Sequence, residues 1–264
     1  AAPSATASFD TLGDIAIIQV PDAVKAKAKK MAQALLAENP KIKTVLAKAS
    51  AMKGEFRIRD LEYLAGKRTY TCEYRESGVT MRFDVRKTYF STRLSFERHR
   101  IAGLVKPREN VLALFAGVGP FALVIAKKQS SAQVVAVELN PYAAKAMAEN
   151  VTLNKLSNVT AIQGDVRDVV KTYPKWADRV TMPLPHTGHD FLPDAIFATS
   201  NNGVIHFYGF GDQRDGVFAK AEAEVRSACK AAGVRHKILD KRIVRPFAPR
   251  VYQVVLDVEI RRNE

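Results

Sequence analysis

The sequence predicts an α/β protein in which a doubly wound sheet follows a smaller N-terminal α+β domain. From Val111 onward, short apolar strands alternate with helical stretches, which is the pattern of such a sheet. A glycine-bearing turn, Phe115–Phe121, joins the first of these strands to a helix. The last two strands adjoin through Arg245–Pro249 without an intervening helix, which indicates an antiparallel pair at one edge.

The smaller domain is predicted to comprise residues 1–104, and the sheet domain residues 105–264. Within the first, a strand at 14–20 precedes a helix at 23–38, which an Asn-Pro pair ends. Four further strands are predicted at residues 44–46, 56–59, 69–74 and 80–85. A helix at 94–105 then links the two domains. In the sheet domain, seven strands are predicted near residues 111–115, 133–138, 159–163, 177–182, 203–209, 234–240 and 251–260.

The turn after the first strand of the sheet domain has the composition of a nucleotide-binding loop. Gly117 and Gly119 lack a Cβ, so a ligand can approach the backbone closely. Pro120 suits the first turn of the following helix, where its missing N–H carries no penalty. A tight turn that binds no ligand is the alternative, because Gly-x-Gly turns occur in many α/β proteins.

A carboxylate and the form of the turn narrow the ligand class. Glu138 ends the second buried strand, the position from which acidic residues hydrogen-bond a ribose diol. The third glycine of the dinucleotide turn is replaced by Ala122, and no partner for a pyrophosphate is evident. S-adenosylmethionine, a nucleoside cofactor without phosphate, therefore fits the pattern better than a dinucleotide.

Composition sets the outer limits on function. The 264 residues include 41 Lys and Arg against 27 Asp and Glu, a formal charge of +14, which favours a polyanionic partner such as RNA or DNA. No apolar run reaches the ~18 residues needed to span a membrane, and no secretory signal is present, so we expect a cytoplasmic protein. Cys72 and Cys229 have no disulfide or zinc-ligand spacing, and we expect a monomer without a metal.

Several motifs in order make the chain similar to one family. Those in the sheet domain are Phe115–Phe121, Glu138–Pro141, Asn150–Asn154, Gly164–Arg167 and Asp178–Pro185. Others lie at Gly54–Arg57, Tyr89–Arg98 and Ile205–Tyr208. Together they resemble the archaeal-eukaryotic tRNA (guanine-N1)-methyltransferases that act at position 37. The resemblance covers roughly residues 8 to 260 and implies a class I methyltransferase, Rossmann-like sheet.

The resemblance implies that S-adenosylmethionine donates a methyl group to N1 of guanosine 37 in tRNA. Guanine N1 carries a proton and is a poor nucleophile until that proton leaves, when charge spreads onto O6. Glu97 matches the residue proposed as general base, and Arg57 matches the arginine proposed to steady the charge. Arg93 and Arg98 are candidates for phosphate or base contacts.

The resemblance also implies a set of binding residues. The loop Pro183, Leu184 and Pro185, after the fourth strand, is expected where methyl donor and acceptor meet. Asp165 is expected near the adenine amino group, unless it only caps the following helix. The full set expected to bind the cofactor is Phe115, Ala116, Gly117, Val118, Gly119, Phe121, Glu138, Leu139, Asp165 and Val166.

The two catalytic candidates each have a structural alternative. Glu97 lies four residues after Arg93 and three before Arg100, so it can simply form an ion pair on a solvated helix face. Arg57 and Arg59 alternate on a predicted strand, where either can be an exposed strand charge.

Three departures from the family pattern affect the prediction. Many members have Asn in place of Pro183 and Asp in place of Ala113, so a contact to the target base and one behind the turn are in doubt. Members also commonly carry an additional N-terminal domain that reads the outer corner of tRNA, and we expect this chain to lack it.

Three alternatives to guanosine methylation remain. A related enzyme of the wybutosine pathway transfers an aminocarboxypropyl group from the same cofactor, but it typically has Ser-Ser-Gly-Asn where this chain has Ser91–Leu94. A noncatalytic tRNA-binding homologue is suggested by the departures and opposed by the retained acidic and basic residues. A DNA or protein methyltransferase is disfavoured, because Met182–Pro185 is not the usual Asn/Asp-Pro-Pro-Tyr/Phe loop.

Overall fold

The computed structural model describes residues 9–54 and 56–262. Contacts within the chain divide it into two compact units, Ala1–Thr92 and Arg93–Glu264. The division falls before the helix at residues 95–104, whereas the sequence places the boundary after it. The catalytic candidates Arg57 and Glu97 therefore belong to different units.

The first unit combines a four-stranded sheet, a helix and a hairpin. The sheet has the order β1-β2-β3-β4, with a parallel pair between β2 and β3 and antiparallel pairs on either side. A short 3-10 helix, Asp22–Lys27, leads into α1, which packs beside β4. The bounds are β1 Phe9–Leu12, β2 Ile15–Ile18, α1 Ala28–Glu38, β3 Thr44–Lys48, β4 Leu61–Gly66, β5 Thr71–Glu76 and β6 Val79–Asp84.

The β5–β6 hairpin follows directly from its sequence. Cys72 pairs with Phe83 across the two strands, and both side chains are buried on one face. The connecting residues Ser77 and Gly78 have φ of 47° and 78°, the left-handed conformation that a two-residue hairpin turn requires at both positions. The predicted strands at 69–74 and 80–85 correspond to this pair, each shifted by one or two residues.

The predicted strand at 56–59 is wrong. Phe56 and Arg57 lie in a turn, and Arg57 has a left-handed φ of 51°. The N–H of Arg57 donates to the Gly54 carbonyl at 3.1 Å, and Ile58 forms only an isolated bridge with Lys53. A side chain with a Cβ at positive φ is uncommon and costs about 1 kcal/mol or more.

The second unit is built on a seven-stranded sheet of order β12-β13-β11-β10-β7-β8-β9. Strands β9, β8, β7, β10 and β11 are parallel, and β13 and β12 join antiparallel at one edge. The strands are β7 Asn110–Leu114, β8 Gln133–Glu138, β9 Val159–Gln163, β10 Ala177–Met182, β11 Thr199–Asp212, β12 Arg235–Ala248 and β13 Val251–Arg261. The predicted fold class is confirmed, including the antiparallel edge pair.

Helices cover the central strands of this sheet on both faces, as parallel strands require. The strands β7 and β8 are accordingly apolar and buried along nearly their whole length, from Val111 to Leu114 and from Val134 to Val137. The helices are α2 Ser95–Leu104, α3 Pro120–Lys128, α4 Pro141–Leu153, α5 Val166–Val169, α6 Leu192–Ala198 and α7 Ala219–Ala231. In the described part of the chain, no helix is long and apolar enough to cross a membrane.

Candidate active site

The predicted cofactor turn lies between β7 and α3 and has the backbone that close ligand approach requires. Phe115, Gly117 and Gly119 all have positive φ, of 53°, 58° and 93°. A Cβ on Gly119 would lie 3.0 Å from the Cγ of Met147, so a larger residue is excluded by space as well as by conformation. The buried Asn150 side chain donates to the Val118 carbonyl at 3.1 Å and fixes the turn from α4.

Glu138, at the end of β8, is held against this turn by main-chain groups. One carboxylate oxygen accepts from the Gly117 N–H at 2.6 Å and the other from the Asn140 N–H at 2.8 Å. Burial raises the pKa of Glu138 above its ordinary value, while hydrogen bonds from the main-chain N–H groups oppose that shift. Each oxygen keeps a further lone pair, so the carboxylate can also accept ribose hydroxyls.

Asp165 follows β9 and caps the short helix α5. One carboxylate oxygen accepts from the Arg167 N–H at 2.8 Å, which is the capping role that the sequence left open. The Arg167 guanidinium in turn lies 4.2 Å from the ring centre of Phe191, whose ring contacts Phe115 edge-on. Capping employs one oxygen of Asp165, so the predicted adenine contact stays a prediction.

The residues at this edge fit a nucleoside cofactor without phosphate. The turn offers main-chain groups and a half-buried carboxylate, and the carboxylate would oppose a pyrophosphate rather than bind it. Of the two apolar residues expected to bind the cofactor here, Leu139 is 37% exposed beside Glu138, whereas Val166 is buried. The structure thus brings the turn Phe115–Gly119, Glu138 and Leu139 together at the carboxyl ends of β7 and β8.

Glu97 lies on α2 and is only 3% exposed, so the alternative of an ion pair on a solvated helix face is wrong. Its partner is Arg100, whose Nε donates to both carboxylate oxygens at 3.2 and 3.1 Å. The Tyr208 hydroxyl donates to the same carboxylate at 3.1 Å. Burial raises the pKa of Tyr208 well above its ordinary value, so the phenol stays protonated and keeps donating.

Tyr208 connects Glu97 with the cofactor turn. It is fully buried on β11, and its ring contacts the ring of Phe121 edge-on, with centroids 6.1 Å apart. Phe121 is the second residue of α3, a helix that begins at Pro120, directly after Gly119. Glu97 is therefore separated from the first turn of α3 by a single side chain, in the same unit as the cofactor turn.

A chain of buried charged and polar groups extends behind Glu97, and we refer to residues Glu97, Arg100, Asp257, His206, Arg179 and Glu109 as the buried network. Arg100 donates from two nitrogens to Asp257, at 2.7 and 3.2 Å. Asp257 accepts from His206 Nδ1 at 2.6 Å, and His206 Nε2 contacts Arg179 at 2.8 Å. Arg179 ends the chain with a double hydrogen bond to Glu109 at 2.8 and 3.0 Å.

His206 is neutral within this network. A guanidinium cannot accept a hydrogen bond, so His206 Nε2 accepts from Arg179, and Nδ1 carries the proton donated to Asp257. Burial lowers the pKa of His206, and the neighbouring guanidinium groups add to the shift against the pull of Asp257. Burial alone would raise the pKa of Asp257, but hydrogen bonds from His206 and Arg100 hold it well below its ordinary value.

Sequence reasoning missed Tyr208, Asp257 and the true role of Arg100. The spacing of Glu97 and Arg100 was visible, but nothing local in the sequence shows that this helix face is buried. His206 and Asp257 meet because β11 and β13 pair in the register that sets them opposite each other. A polar residue directly between apolar neighbours was the available signal, at His206 in β11 and at Asp257 in β13.

The remaining predicted residues occupy distinct surroundings. Arg57 in the first unit has its guanidinium carbon 4.9 Å from the ring centre of Tyr89. Arg93 is exposed, whereas Arg98 is 2% exposed, so only Arg93 presents its charge to solvent. Pro183 and Pro185 are half-buried in the loop after β10, where the Leu184 N–H donates to the Met182 carbonyl at 2.8 Å.

Metal binding finds no support in the described part of the chain, which holds no cluster of three or more His, Cys, Asp or Glu side chains suited to an ion. His189 instead lies near two acids, 3.3 Å from Asp190 and 3.8 Å from Glu224.

The fold and this site define a class I methyltransferase: a Rossmann-like sheet with a glycine turn after its first strand and a carboxylate after its second. Residues 72–238 match the TRM5/TYW2 methyltransferase domain, and residues 3–69 match the TYW2 N-terminal domain. The chain belongs to the TRM5/TYW2 methyltransferase family.

Relatives of both branches of the family are similar along nearly the whole chain. The tRNA (guanine(37)-N(1))-methyltransferase Trm5b of Pyrococcus abyssi is 40% identical over 96% of this chain and 74% of its own length. The crystal structure of that Trm5b has a TM-score of 0.85. A tRNA(Phe) (4-demethylwyosine(37)-C(7)) aminocarboxypropyltransferase of Methanocaldococcus jannaschii is 30% identical over 96% of this chain and 98% of its own length.

Two similar solved structures contain bound ligands, tRNA in one and the cofactor in the other. A structure described as the complex of aTrm5 and tRNALeu has a TM-score of 0.84 and 36% identity, and covers 96% of this chain and 71% of its own. The structure of M. jannaschii TYW2 in complex with AdoMet has a TM-score of 0.75 and 27% identity, and covers 97% of this chain and 100% of its own. The prediction of S-adenosylmethionine as cofactor is confirmed for this family.

Proposed function

We propose that this protein transfers the methyl group of S-adenosylmethionine to N1 of guanosine 37 in tRNA. The observation that carries the proposal is Glu97, a buried carboxylate fixed by Arg100 and Tyr208 one side chain away from the cofactor turn. The similarity to Trm5b supports the same reaction, and the net charge of +14 suits a tRNA substrate. A cytoplasmic location is part of this proposal.

The cofactor would lie along the turn Phe115–Gly119, with its ribose hydroxyls on Glu138. When bound, it supplies an electrophilic methyl group on a positively charged sulfur. The other binding residues of the proposal are Phe121, Leu139, Asp165 and Val166, with the loop Pro183–Pro185 beside the acceptor base. Pro183 has no side-chain donor or acceptor, so the loop would contact the base through its main-chain carbonyls.

Glu97 would remove the proton from guanine N1, so that the N1 lone pair could form the new bond to the methyl carbon while the bond between that carbon and sulfur breaks and the sulfur leaves as a neutral thioether. Hydrogen bonds from Arg100 and Tyr208 would hold the Glu97 carboxylate in place for that proton transfer. The shortest hydrogen bond of Arg100, at 2.7 Å, goes to Asp257, whereas its bonds to Glu97 are 3.1 and 3.2 Å long. Arg57 would donate to O6 as charge develops there, and the exposed Arg93 would contact phosphate or base. The same contact from Arg98 would require its buried side chain to move.

The test is methyl transfer from labelled S-adenosylmethionine to tRNA transcripts with guanosine or adenosine at position 37, followed by nucleoside analysis. We expect N1-methylguanosine on the guanosine transcript alone. Glu97→Gln should lower the single-turnover rate by about 10²- to 10⁴-fold, the range for loss of a general base, with cofactor affinity retained. Glu149→Gln, an exposed carboxylate on α4, is the control and should keep the wild-type rate.

A second candidate has a specific observation in its favour, because residues 3–69 match the TYW2 N-terminal domain. That reaction would attach an aminocarboxypropyl group from the same cofactor to a modified guanosine. The segment Ser91–Leu94 favours methyl transfer instead, as argued from the sequence. Mass analysis of the product separates the two, since the added groups differ in mass, and an aminocarboxypropyl product would overturn the main proposal.

A further inference from the structure

Three aromatic rings cluster at the edge of the second unit, outside the catalytic machinery described above. His186 follows the Pro183–Pro185 loop, Phe210 lies near the end of β11, and Phe247 lies near the end of β12. The ring centres are 4.6 Å apart for His186 and Phe210, 4.4 Å for Phe210 and Phe247, and 5.8 Å for His186 and Phe247. We call these three residues the aromatic platform.

Strand register sets the platform at the cofactor edge of the sheet. Phe207 is the last residue of β11 that pairs with β10, opposite Met182, so Phe210 projects three residues beyond the end of β10. The tip of the β12–β13 hairpin reaches the same level, because Gly211 pairs with Tyr252, and Tyr252 pairs with Pro246. Carboxyl ends of parallel strands share one edge, so this is also the edge of the cofactor turn.

The aromatic platform is more exposed to solvent than rings that only pack in a core would be. Phe247 is 46% exposed and His186 is exposed, while Phe210 is half-buried beneath them. The apolar core of this unit is formed by other residues, among them Leu112, Phe207 and Leu256. Exposed aromatic faces in a contiguous group are typical of recognition surfaces.

The basic residues around the aromatic platform indicate what kind of partner it binds. The guanidinium carbon of Arg245 lies 5.9 Å from the ring centre of Phe247. The segment 235–251, which forms the hairpin arm and tip, has one acidic residue, Asp240, and six basic ones: Arg235, Lys237, Lys241, Arg242, Arg245 and Arg250. Aromatic faces combined with cations are the surface that unpaired nucleic acid binds, through base stacking and phosphate contacts.

We propose that the aromatic platform stacks an unpaired RNA base next to the nucleotide that is methylated. This inference rests on the proposed function for the identity of the RNA and adds a second contact to the same site. Because His186 lies in the loop that follows β10, a stacked neighbour would hold the target nucleotide at the edge where the cofactor turn lies. The platform would thus contribute to RNA affinity and positioning without touching the reacting atoms.

The experiment uses the full chain and an RNA hairpin with guanosine at the target position and the fluorescent base 2-aminopurine beside it. Stacking on an aromatic ring quenches this fluorescence. Phe247→Ala should raise the Kd for the RNA about tenfold, as expected for loss of one base–aromatic stack, and should abolish the quenching. Phe247→Trp should restore both, since the larger ring keeps a stacking face.

Phe197→Ala is the matched control. Phe197 is 47% exposed, close to the 46% of Phe247, but it lies in the last turn of α6 just before β11 begins, at the opposite ends of the parallel strands. This variant should keep wild-type RNA affinity and quenching. Equal RNA affinity for the two alanine variants, or quenching that persists in Phe247→Ala, would overturn the platform proposal and leave the rings as a surface for a protein partner.

The outcome is separable from that of the proposed function. If the wild type forms no methylated guanosine while quenching depends on Phe247, the proposed reaction fails and the platform stands. If methylation occurs and Phe247→Ala binds RNA normally, the platform fails and the reaction stands.

Discussion

Glu138 and Glu97 are two acidic side chains withdrawn from solvent in the same unit, and the protein holds them by different means. Glu138 is fixed by main-chain N–H groups of Gly117 and Asn140. Glu97 is fixed by the side chains of Arg100 and Tyr208, and through Arg100 by Asp257. The first arrangement follows from the path of the chain at one sheet edge, whereas the second requires side chains from three separate segments.

The difference suits the two tasks proposed for these groups. A carboxylate that only accepts hydrogen bonds from a cofactor needs a fixed position, which neighbouring amides supply. A carboxylate that must accept a proton needs partners that can adjust as its charge changes. Single substitutions should therefore affect the two sites separately, and three predictions test this, in order of decreasing effect.

Asp257→Asn should break the buried network at its centre. Removing one charge from a buried ion pair leaves Arg100 without its closest partner, and we expect the free energy of unfolding to fall by about 3–5 kcal/mol. The methylation rate should fall as well, because Arg100 also orients Glu97, while cofactor affinity is kept. Urea unfolding and single-turnover kinetics measure the two effects.

Asp240→Asn is the control for that substitution. Asp240 faces Asp257 across the β12–β13 pair in register, but its side chain is half exposed and its partner Arg242 is 3.8 Å away. We expect a change in stability below about 0.5 kcal/mol. Equal losses for both variants would contradict a special role of the buried network.

Glu138→Ala should lower the affinity for S-adenosylmethionine by about 10- to 100-fold, the value of charged hydrogen bonds to the ribose hydroxyls. The single-turnover rate at saturating cofactor should change far less, because Glu97 and its partners are untouched. Calorimetric titration measures the affinity. Asp165→Asn retains the helix cap and should have the smaller effect, so a larger loss in that variant would assign the main cofactor contact to Asp165.

The stability of the protein should fall on acidification below about pH 6.5 through His206. Its folded pKa is lowered, mainly by burial, so the unfolded chain binds a proton that the folded protein does not. Stability is complete above the unfolded pKa and declines towards the folded one, by at most about 1.4 kcal/mol per pH unit. Asp257 stays ionised in this window, because its folded pKa is also lowered.

His206→Gln keeps a donor and an acceptor at that position and removes the titration. Unfolding free energies measured from about pH 7.5 down to about pH 5 should therefore show a shallower slope against pH for the variant than for the wild type. Parallel slopes would show that the pKa of His206 does not change on folding, which would contradict its assignment as a buried neutral ring.

The sheet domain could be predicted from sequence because its signals are local. Buried parallel strands appear as short apolar runs. Gly117 and Gly119 have positive φ values, in keeping with the tight turn predicted there. The strand predicted at 56–59 failed because alternation of Phe56, Arg57 and Ile58 imitates a strand, although Arg57 adopts a left-handed turn. Strand β4 was missed because only Leu64 and Ala65 are buried in it.

The candidate site was predicted only in part for a related reason. The cofactor turn and Glu138 lie within 24 residues of chain, and their contacts follow from the order of strands. The partners of Glu97 come from α2, β11 and β13, and the residues of the two strands meet through the register of the antiparallel β11–β13 pair. No pattern along the sequence encodes that register.

Tyr208 contacts both Glu97 and the helix that follows the cofactor turn. Its hydroxyl donates a hydrogen bond to Glu97, and its ring contacts Phe121, the second residue of α3. Packing of the first turn of α3 and the orientation of the proton acceptor are therefore mechanically joined through one rigid phenol. A substitution that moves the first turn of α3 should therefore also move the carboxylate proposed here as the proton acceptor.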